Sequence, residues 1–246
     1  MRVIAVANQK GGTSKTTTCG AIVAGAAARG HRVLAIDADP QSSLTYSMGA
    51  DANRPGTFDL MTGKASDVIQ HTSGGDIIPG SLQLATMDRT TTQQRGNSLL
   101  LRAALASIHG YDLMVIDCAP SLGVLMVNSL TAATEVLIPM QADILSLQGL
   151  YLIRETITQV QDNLNPSLTV AGCFLTRYNG RSVVTRDMTT AIKNKCASLG
   201  LPYIDTPIRE GVAVKEAQLM RQSVMDYAPK SKPAQDYNAL LDALEI

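Results

Sequence analysis

The segment that most constrains the fold is residues 8–18, with the sequence N-Q-K-G-G-T-S-K-T-T-T. It follows the apolar run 3–7 and precedes the alanine-rich, helix-like run 19–29. A strand, a glycine-containing loop, a Lys-Thr pair and a helix in this order are typical of a phosphate-binding loop, because loop amides and the helix N-terminus attract an anion. The chain is therefore predicted to be an α/β protein with a doubly wound, mostly parallel sheet flanked by helices on both faces.

Each side chain of this loop has an expected role. Lys15 is expected to reach the β- and γ-phosphates of a nucleotide, and the Thr16 hydroxyl to bind Mg²⁺. Ser14 stands where the general phosphate-loop pattern has glycine, and it costs about 1–2 kcal/mol if the position needs a positive φ. We therefore expect weaker nucleotide affinity rather than its loss. The predicted nucleotide-binding residues of the loop are Lys10, Gly11, Gly12, Thr13, Ser14, Lys15, Thr16 and Thr17.

A second lysine distinguishes this loop from a glycine-containing turn that binds nothing. With Lys10, the loop has the pattern K-G-G-x-x-K-T-T and resembles the deviant Walker A motif of the ParA/MinD/Soj family of dimeric ATPases. The resemblance implies ATP and Mg²⁺ as cofactors and a homodimer with ATP, in which Lys10 crosses the interface to the other subunit's nucleotide. It also implies that the catalytic residues are Lys10, Lys15 and Asp39.

Two acidic residues follow the next predicted strand, in the segment D-A-D-P-Q at 37–41. In a doubly wound sheet, ligand chemistry is placed at the carboxyl ends of the strands. The alternative is an ordinary turn, because Asp-Pro favours turn initiation. The segment resembles the family's D-x-D-P-Q, which implies that Asp39 orients the attacking water and that Asp37 supports the Mg²⁺ shell.

A third acidic residue, Asp117, ends the apolar run 113–116. Taken alone, it is equally compatible with a buried strand whose last residue caps a helix. The following C-A-P-S-L-G at 118–123 is similar to part of the family's D-x-P-P-S-L-G segment. The resemblance implies that Asp117 holds Mg²⁺ through water and that the following loop senses the γ-phosphate.

Two later segments are candidates for contacts with the adenine. Thr176 and Arg177 follow the predicted strand 168–175, and in the family this loop flanks the base; an ordinary β–α loop is the alternative. Pro207 and Arg209 lie in T-P-I-R-E, where the family has I-P-R. The spacing of apolar residues further predicts short helices at 57–60 and 65–70 and a long helix at 150–164.

Residues 177–232 contain ten basic and five acidic residues, although the whole chain has no formal net charge. Scattered charges of this kind form either a solvated face or a patch for a nucleic-acid backbone. In the family, basic residues of this region bind double-stranded DNA without sequence preference. The predicted DNA-binding residues are Arg181, Arg186, Lys193, Lys195 and Arg221.

Composition excludes several other classes of function. Aromatic residues make up 4% of the chain and tryptophan is absent, which argues against a base-stacking platform for single strands. The four cysteines are far apart and form no C-x-x-C pair, which argues against a zinc site. No apolar run approaches the roughly 20 residues that span a bilayer, so we expect no membrane-spanning segment. The resemblance implies a cytoplasmic, nucleoid-associated protein without a membrane partner.

The resemblance extends over nearly the whole chain and implies a single ParA-like ATPase domain at 1–246. It implies slow ATP hydrolysis, stimulated by a ParB-type centromere-binding protein, that releases DNA during plasmid or chromosome partition. Three alternatives stay open: a MinD-like ATPase that positions cargo or cycles on a membrane, an electron carrier like nitrogenase reductase, and a hydrolysis-deficient nucleotide-binding scaffold. The acidic C-terminus 240–246 argues against the membrane form, and the lack of paired cysteines argues against the electron carrier.

Overall fold

The computed structural model describes residues 1–65, 67–90 and 98–246, with residues 88–90 described by their backbone alone. Within these residues, the strands are β1 (Arg2–Val6), β2 (Val33–Ala38), β3 (Gln70–Thr72), β4 (Gly75–Ile78), β5 (Leu113–Cys118), β6 (Glu135–Met140) and β7 (Thr169–Leu175). They form one sheet in the order β3-β4-β2-β5-β1-β6-β7. All neighbours pair in parallel except β3 and β4, which form an antiparallel hairpin at one edge. The predicted fold class is confirmed.

Helices connect these strands. Their bounds are α1 (Lys15–Ala28), α2 (Ser43–Ser47), α3 (Thr57–Thr62), α4 (Ala85–Thr90), α5 (Leu100–Leu105), α6 (Val124–Ala132), α7 (Ile144–Asn163), α8 (Val183–Ser198), α9 (Val212–Leu219), α10 (Val224–Tyr227) and α11 (Lys232–Ala243). Strands β2 and β5 are buried at every position, as expected when helices cover both faces of a parallel sheet.

Alternate residues of the strands pack into two separate cores. On one face, Ile4 and Val115 pack with apolar residues of α1, α2, α9, α10 and α11. On the other face, Val3 and Met114 pack with apolar residues of α3, α5, α6, α7 and α8. The four cysteines are buried and free. The sheet is therefore held rigidly between two helical layers, which fixes the positions of the loops at its ends.

The carboxyl ends of β1, β2 and β5 lie side by side. Strand β1 runs between β5 and β6, and the chain leaves it into the glycine-containing loop. The register pairs Asp37 of β2 with Asp117 of β5, and Asp117 also pairs with Val6 of β1. The three segments that the sequence singled out are therefore adjacent at one edge, where connections in this kind of sheet diverge and ligands bind.

Two sequence-based predictions of helices differ from the structure. The helix at 65–70 is wrong: residues 65 and 67–69 are not helical, and Gln70 begins β3, where it pairs with Ile77 of β4. The helix predicted at 150–164 starts six residues earlier, at Ile144, because the Asp143 side chain accepts a hydrogen bond from the Ser146 amide and caps the helix. The segment 87–96 is rich in Thr and Gln with little periodicity, so the sequence predicts a loop or a frayed helix there; its residues 91–96 lie outside the described residues.

The buried amide of Asn165 joins the end of α7 to the end of α6. Its Nδ2 donates to the carbonyl oxygens of Leu130, Thr131 and Ala133 at 3.2, 3.2 and 2.8 Å. Carbonyls at the end of a helix have no partner within the helix, so this amide satisfies groups that would otherwise be buried without one. It thereby positions β6, which starts at Glu135 and leads to the nucleotide site.

Replacing Asn165 by alanine is expected to lower the free energy of unfolding by about 2–3 kcal/mol, because several buried carbonyls lose their donor. Urea titration followed by circular dichroism measures the change. Asn163→Ala is the matched control: Asn163 ends the same helix, is exposed, and donates to the Gln159 carbonyl of its own helix. Equal losses in the two variants would contradict the role assigned to the buried amide.

Candidate nucleotide site

The loop between β1 and α1 leaves open space in front of its backbone. Gly12 has φ 76°, in the left-handed region that favours glycine. A Cβ built on Gly11 or Gly12 would meet no protein atom within 4 Å, so nothing in the described chain fills the space beside them. The amides of the first turn of α1 have no partner within the helix. This open, amide-lined loop fits a phosphate group.

Position 14 has the positive φ that makes a residue other than glycine costly. It is the residue before α1 and has φ 65° and ψ 27°, a left-handed conformation. Its side chain makes no capping hydrogen bond, so no such contact offsets the backbone strain. The serine occupies a conformation in which glycine would be unstrained.

Lys15 and Thr16 are oriented into the site by contacts on either side. Lys15 is buried, and its Nζ lies 3.5 Å from the carbonyl oxygen of Lys10, so the ammonium lies against the loop itself. The Thr16 hydroxyl donates to Oδ2 of Asp117 at 2.7 Å. The predicted partners Thr16 and Asp117 are therefore in direct contact.

The carboxylates of Asp37 and Asp117, beside Thr16, are both fully buried. Asp37 accepts hydrogen bonds from the amide and hydroxyl of Thr45, at 2.8 and 2.7 Å, and burial raises its pKa to about 6 despite these bonds. Burial, together with the nearby Asp37, also raises the pKa of Asp117 well above its usual value, and the Thr16 hydrogen bond opposes this. Within the described chain, Oδ1 of Asp117 is buried without a hydrogen-bond partner.

These groups fit a magnesium ion. An unpartnered buried carboxylate oxygen beside a threonine hydroxyl and a second carboxylate supplies the hard oxygen ligands that Mg²⁺ prefers. Over the described ranges, no cluster of three or more His, Cys, Asp or Glu could hold a metal by itself. Mg²⁺ in phosphate sites is typically bound by only one or two carboxylates together with the phosphates, so the two observations agree.

Asp39 is held at the rim of this acidic cluster. Its Oδ1 accepts a hydrogen bond from the Gln41 amide at 2.9 Å, and its own amide donates to Asp37 at 3.1 Å.

The sequence analysis did not identify the residues that hold this acidic cluster in place. Thr45 holds Asp37, and the Gly80 amide donates to the Thr45 hydroxyl at 2.8 Å. No spacing relates Gly80 to the aspartates, so only the folded chain reveals it.

Lys10, near the start of the loop, is held by side chains of the segment between β6 and α7. Its ammonium pairs with the Asp143 carboxylate and donates to Oε1 of Gln141 at 3.3 Å. The Gln141 side chain also donates to the Gly12 carbonyl at 2.7 Å. Asp143 was not among the predicted site residues, because its only local signal is that of a helix cap.

Three of the residues predicted to contact adenine, Thr176, Arg177 and Arg209, form hydrogen bonds or ion pairs with other residues of the chain. The Thr176 hydroxyl donates to the carbonyl oxygens of Thr13 and Met140, both at 3.1 Å, so it fastens the phosphate loop to β6. Arg177 pairs with Glu210 at 3.1 Å, and Arg209 pairs with Asp236 through two nitrogens, as the closest distances of 2.6 and 2.8 Å show. Pro207 is half-buried. Thr17 accepts a hydrogen bond from Gln218 at 3.2 Å.

The predicted DNA-binding residues lie on α8, in the loop before it and in the turn after α9. Lys193 pairs with Asp205, while Lys195, on the same helix, lines a groove beside α7. Arg221 lies over the ring of Tyr46, 4.4 Å from its centre. Arg186 donates to carbonyls of the preceding loop, next to Arg181. A cleft of about 660 Å³ contains four basic residues, of which only one belongs to the predicted set: Arg181, Arg209, Lys215 and Lys232.

Comparison with known proteins agrees with this geometry. A protein-family model described as "AAA domain" matches residues 1–170. The chain is 36% identical to the chromosome partitioning protein ParA of Caulobacter vibrioides, over 96% of this chain and 91% of that protein. It is 34% identical to the chromosome-partitioning ATPase Soj of Thermus thermophilus, over 98% and 94% of the two chains.

A solved structure with the same fold carries ligands. It is described as cobyrinic acid a,c-diamide synthase from Mycobacterium smegmatis with bound ADP and magnesium, and it is 35% identical to this chain. The TM-score is 0.86, over 100% of this chain and 94% of that one. The similarity in sequence and fold thus extends through every segment of the candidate site.

Ser14→Gly is expected to raise the free energy of unfolding by about 0.5–1 kcal/mol, because glycine adopts the left-handed conformation without a Cβ clash and loses part of this gain to its more flexible unfolded state. Urea titration measures it. The matched control is Ser14→Ala, which keeps the Cβ and removes only the hydroxyl, so its stability should stay close to that of the parent. A glycine variant no more stable than the alanine variant would show that the loop is not strained.

The raised pKa of Asp37 predicts a dependence of stability on pH when nucleotide and Mg²⁺ are absent. The folded state holds this proton more tightly than the unfolded state, where the pKa is about 3.9. The stability from protonated Asp37 is therefore fully present below about pH 4 and is lost as pH rises through about 6. Relative to Asp37→Asn, the parent should lose about 1–3 kcal/mol across this window in urea titrations.

Asp112 gives a control of opposite sign for this measurement. Hydrogen bonds from Arg32 lower the pKa of the exposed Asp112 carboxyl to about 2, so its contribution is lost as pH falls toward that value. Relative to Asp112→Asn, the parent should therefore show little change between pH 4 and 6. A flat difference for Asp37→Asn in the same window would mean that burial does not hold that carboxyl in its protonated form.

Proposed function

Because the chain belongs to the ParA/Soj family of P-loop ATPases, we propose that it is an ATP-driven switch that binds DNA as a dimer and partitions a plasmid or chromosome. One observation carries the proposal: a second lysine, Lys10, lies beside a phosphate loop that faces the buried carboxylates of Asp37 and Asp117. A single-subunit site needs only Lys15, so Lys10 is available to a second site. We further propose that residues 1–246 act as one cytoplasmic, nucleoid-associated ATPase domain.

ATP and Mg²⁺ are the proposed ligands of the loop. The amides of the loop and of the first turn of α1 bind the phosphates, and Lys15 neutralises their charge. Thr16, Asp117 and Asp37 hold Mg²⁺, which supplies further positive charge next to the phosphates when bound. The solved relative with bound ADP and magnesium supports this assignment.

Hydrolysis in this site depends on the position of one water molecule. Asp39 is largely buried, and its backbone is fixed by the hydrogen bond to Asp37. We propose that its carboxylate orients the attacking water. In the part of the chain that the structure describes, no arginine hydrogen-bonds to the carboxylates of Asp39 or Asp117. We therefore propose slow intrinsic turnover and stimulation by a ParB-type partner protein.

DNA binding is proposed to occur on the basic cleft. Arg181, Lys215 and Lys232 line it and are exposed, so they can reach a phosphate backbone. One cleft supplies few charges, whereas an ATP-joined dimer presents two, and affinity rises steeply with the number of phosphates neutralised. This difference makes DNA binding depend on the nucleotide. Among the described residues, no helix is both long and apolar enough to cross a bilayer.

Binding to a random-sequence duplex tests the proposal. With a non-hydrolysable ATP analogue and Mg²⁺, the parent should bind the duplex, and binding should weaken with salt at a slope of about −0.9 per phosphate neutralised. Lys10→Ala should lower the affinity at least tenfold while still binding ATP, because its dimer lacks the crossing lysine. Fluorescence anisotropy over a salt series measures both quantities.

A double variant and a control locate the DNA surface in the same assay. The double variant Arg181→Ala/Lys215→Ala should reduce the salt slope by about 2–4 units, since each dimer loses four cations. Lys64→Ala, an exposed lysine beside Phe58 near α3, is the control and should change neither slope nor affinity. Intact ATP affinity without DNA binding under any nucleotide would contradict the proposal. Turnover that depended on cobyrinic acid instead would favour a function like that of the solved relative.

A further inference from the structure

Both the backbone and the side chain of Lys10 are held by residues of its own chain. Its backbone amide donates to Oδ1 of Asn8 at 2.9 Å, and Nδ2 of Asn8 donates to the Pro139 carbonyl at 2.7 Å. Its ammonium binds the carboxylate of Asp143 and the side-chain carbonyl of Gln141. The contact of the Lys10 ammonium with Asp143 and Gln141 is called the lysine latch below. All of its acceptors lie in one segment, between the end of β6 and the start of α7.

The carboxylate of Asp143 performs two separate tasks. Its Oδ1 accepts hydrogen bonds from the amide and hydroxyl of Ser146, at 2.9 and 3.1 Å, and so caps α7. Its Oδ2 binds Lys10. Partial burial acts to raise the pKa of Asp143, but the hydrogen bonds from Lys10 and Ser146 outweigh it and lower the pKa. The carboxylate is thus ionised at neutral pH and is aimed at Lys10 by the cap.

The latch can open without unfolding anything else. When Lys10 leaves, Oδ1 of Asp143 keeps both bonds to Ser146, so α7 stays capped. Gln141 keeps its bond to the Gly12 carbonyl. The side chains of Lys10 and Asp143 are 25% and 34% exposed, so water can solvate both groups after they separate. Opening therefore costs the free energy of one partly exposed ion pair and of one hydrogen bond to Gln141.

We propose that Asp143 is a positioning residue that retains Lys10 in its own subunit, so that dimer formation requires Lys10 to exchange Asp143 for a phosphate of the other subunit. The inference rests on the proposed function, in which Lys10 crosses the interface. A nucleotide-free partner offers Lys10 no phosphate, so the latch stays closed. A partner with bound ATP offers a more highly charged acceptor, and the exchange becomes favourable. The latch thereby opposes pairing between subunits that carry no nucleotide.

Removing the charge of Asp143 should strengthen the dimer. Asn is as good a helix cap as Asp, so Asp143→Asn preserves α7 while it weakens the hold on Lys10. Each latch is expected to change the dimer dissociation constant about threefold, and two latches open per dimer. The dimer dissociation constant with a non-hydrolysable ATP analogue and Mg²⁺ should fall about tenfold, or about 1.4 kcal/mol. Analytical ultracentrifugation over a concentration series measures it.

Three further variants separate the latch from a structural effect. Asp162→Asn removes an exposed carboxylate at the other end of α7 and should leave the dissociation constant unchanged. Ser146→Ala weakens the cap without touching Lys10 and should not tighten the dimer. Asp143→Ser replaces the cap with another good one that carries no charge and should reproduce the effect of Asp143→Asn, which covers the case in which that variant folds poorly.

The outcomes distinguish the latch from the function on which it rests. A parent that forms no dimer with the ATP analogue at any concentration overturns the proposed function and the latch with it. A parent that dimerises as tightly as Asp143→Asn, or more tightly, overturns the latch alone. In a Lys10→Ala background, Asp143→Asn should have no effect on the dissociation constant. A tenfold effect that persists there would show that Asp143 acts independently of Lys10 and would also overturn the latch.

Discussion

The burial of two carboxylates on adjacent strands is the constraint on which the rest of the site depends. Asp37 and Asp117 lie opposite each other in the register of β2 and β5 and are fully buried. Placing two like charges together away from water costs several kcal/mol unless a proton, a hydrogen bond or a cation compensates. Thr45 and Thr16 supply part of this compensation, and one oxygen of Asp117 remains unpartnered among the described residues. The fold thus maintains an unfavourable arrangement that a bound cation would relieve.

The phosphate loop is strained in the same region. Ser14 occupies a left-handed conformation without a capping contact, and a rigid frame on both sides keeps it there. Thr176 fastens Thr13 to β6, and Gln141 fastens Gly12 to the same strand end. Buried carboxylates and a strained loop both lower stability, and two apolar cores that enclose the sheet offset this cost. Stability lost at the site is therefore recovered in the layers that hold the site in place.

The two lysines of the loop differ in what they face. Lys15 is buried, and its ammonium lies against the backbone of the loop. Lys10 lies on the outer side, where its ammonium meets a carboxylate that also caps α7. A single loop thus carries one buried cation and one that is held in a partly exposed ion pair. This difference connects the charge state of the site to the surface through which two subunits could meet.

The sequence by itself determined the elements whose signals are local. The apolar runs before residues 8, 37 and 117 predicted the central strands, and the Lys-Thr pair after a glycine-containing loop predicted the phosphate site. The sequence was insufficient at the edge of the sheet: Gln70, the first residue of β3, was placed at the end of a predicted helix, although it pairs with Ile77 of β4. The contacts of Thr45 with Asp37, of Gly80 with Thr45, and of Lys10 with Asp143 join residues 8, 35 and 133 positions apart. Only the tertiary structure decided them, because packing of the sheet against two helical layers, rather than any residue pattern, brings these side chains within bonding distance.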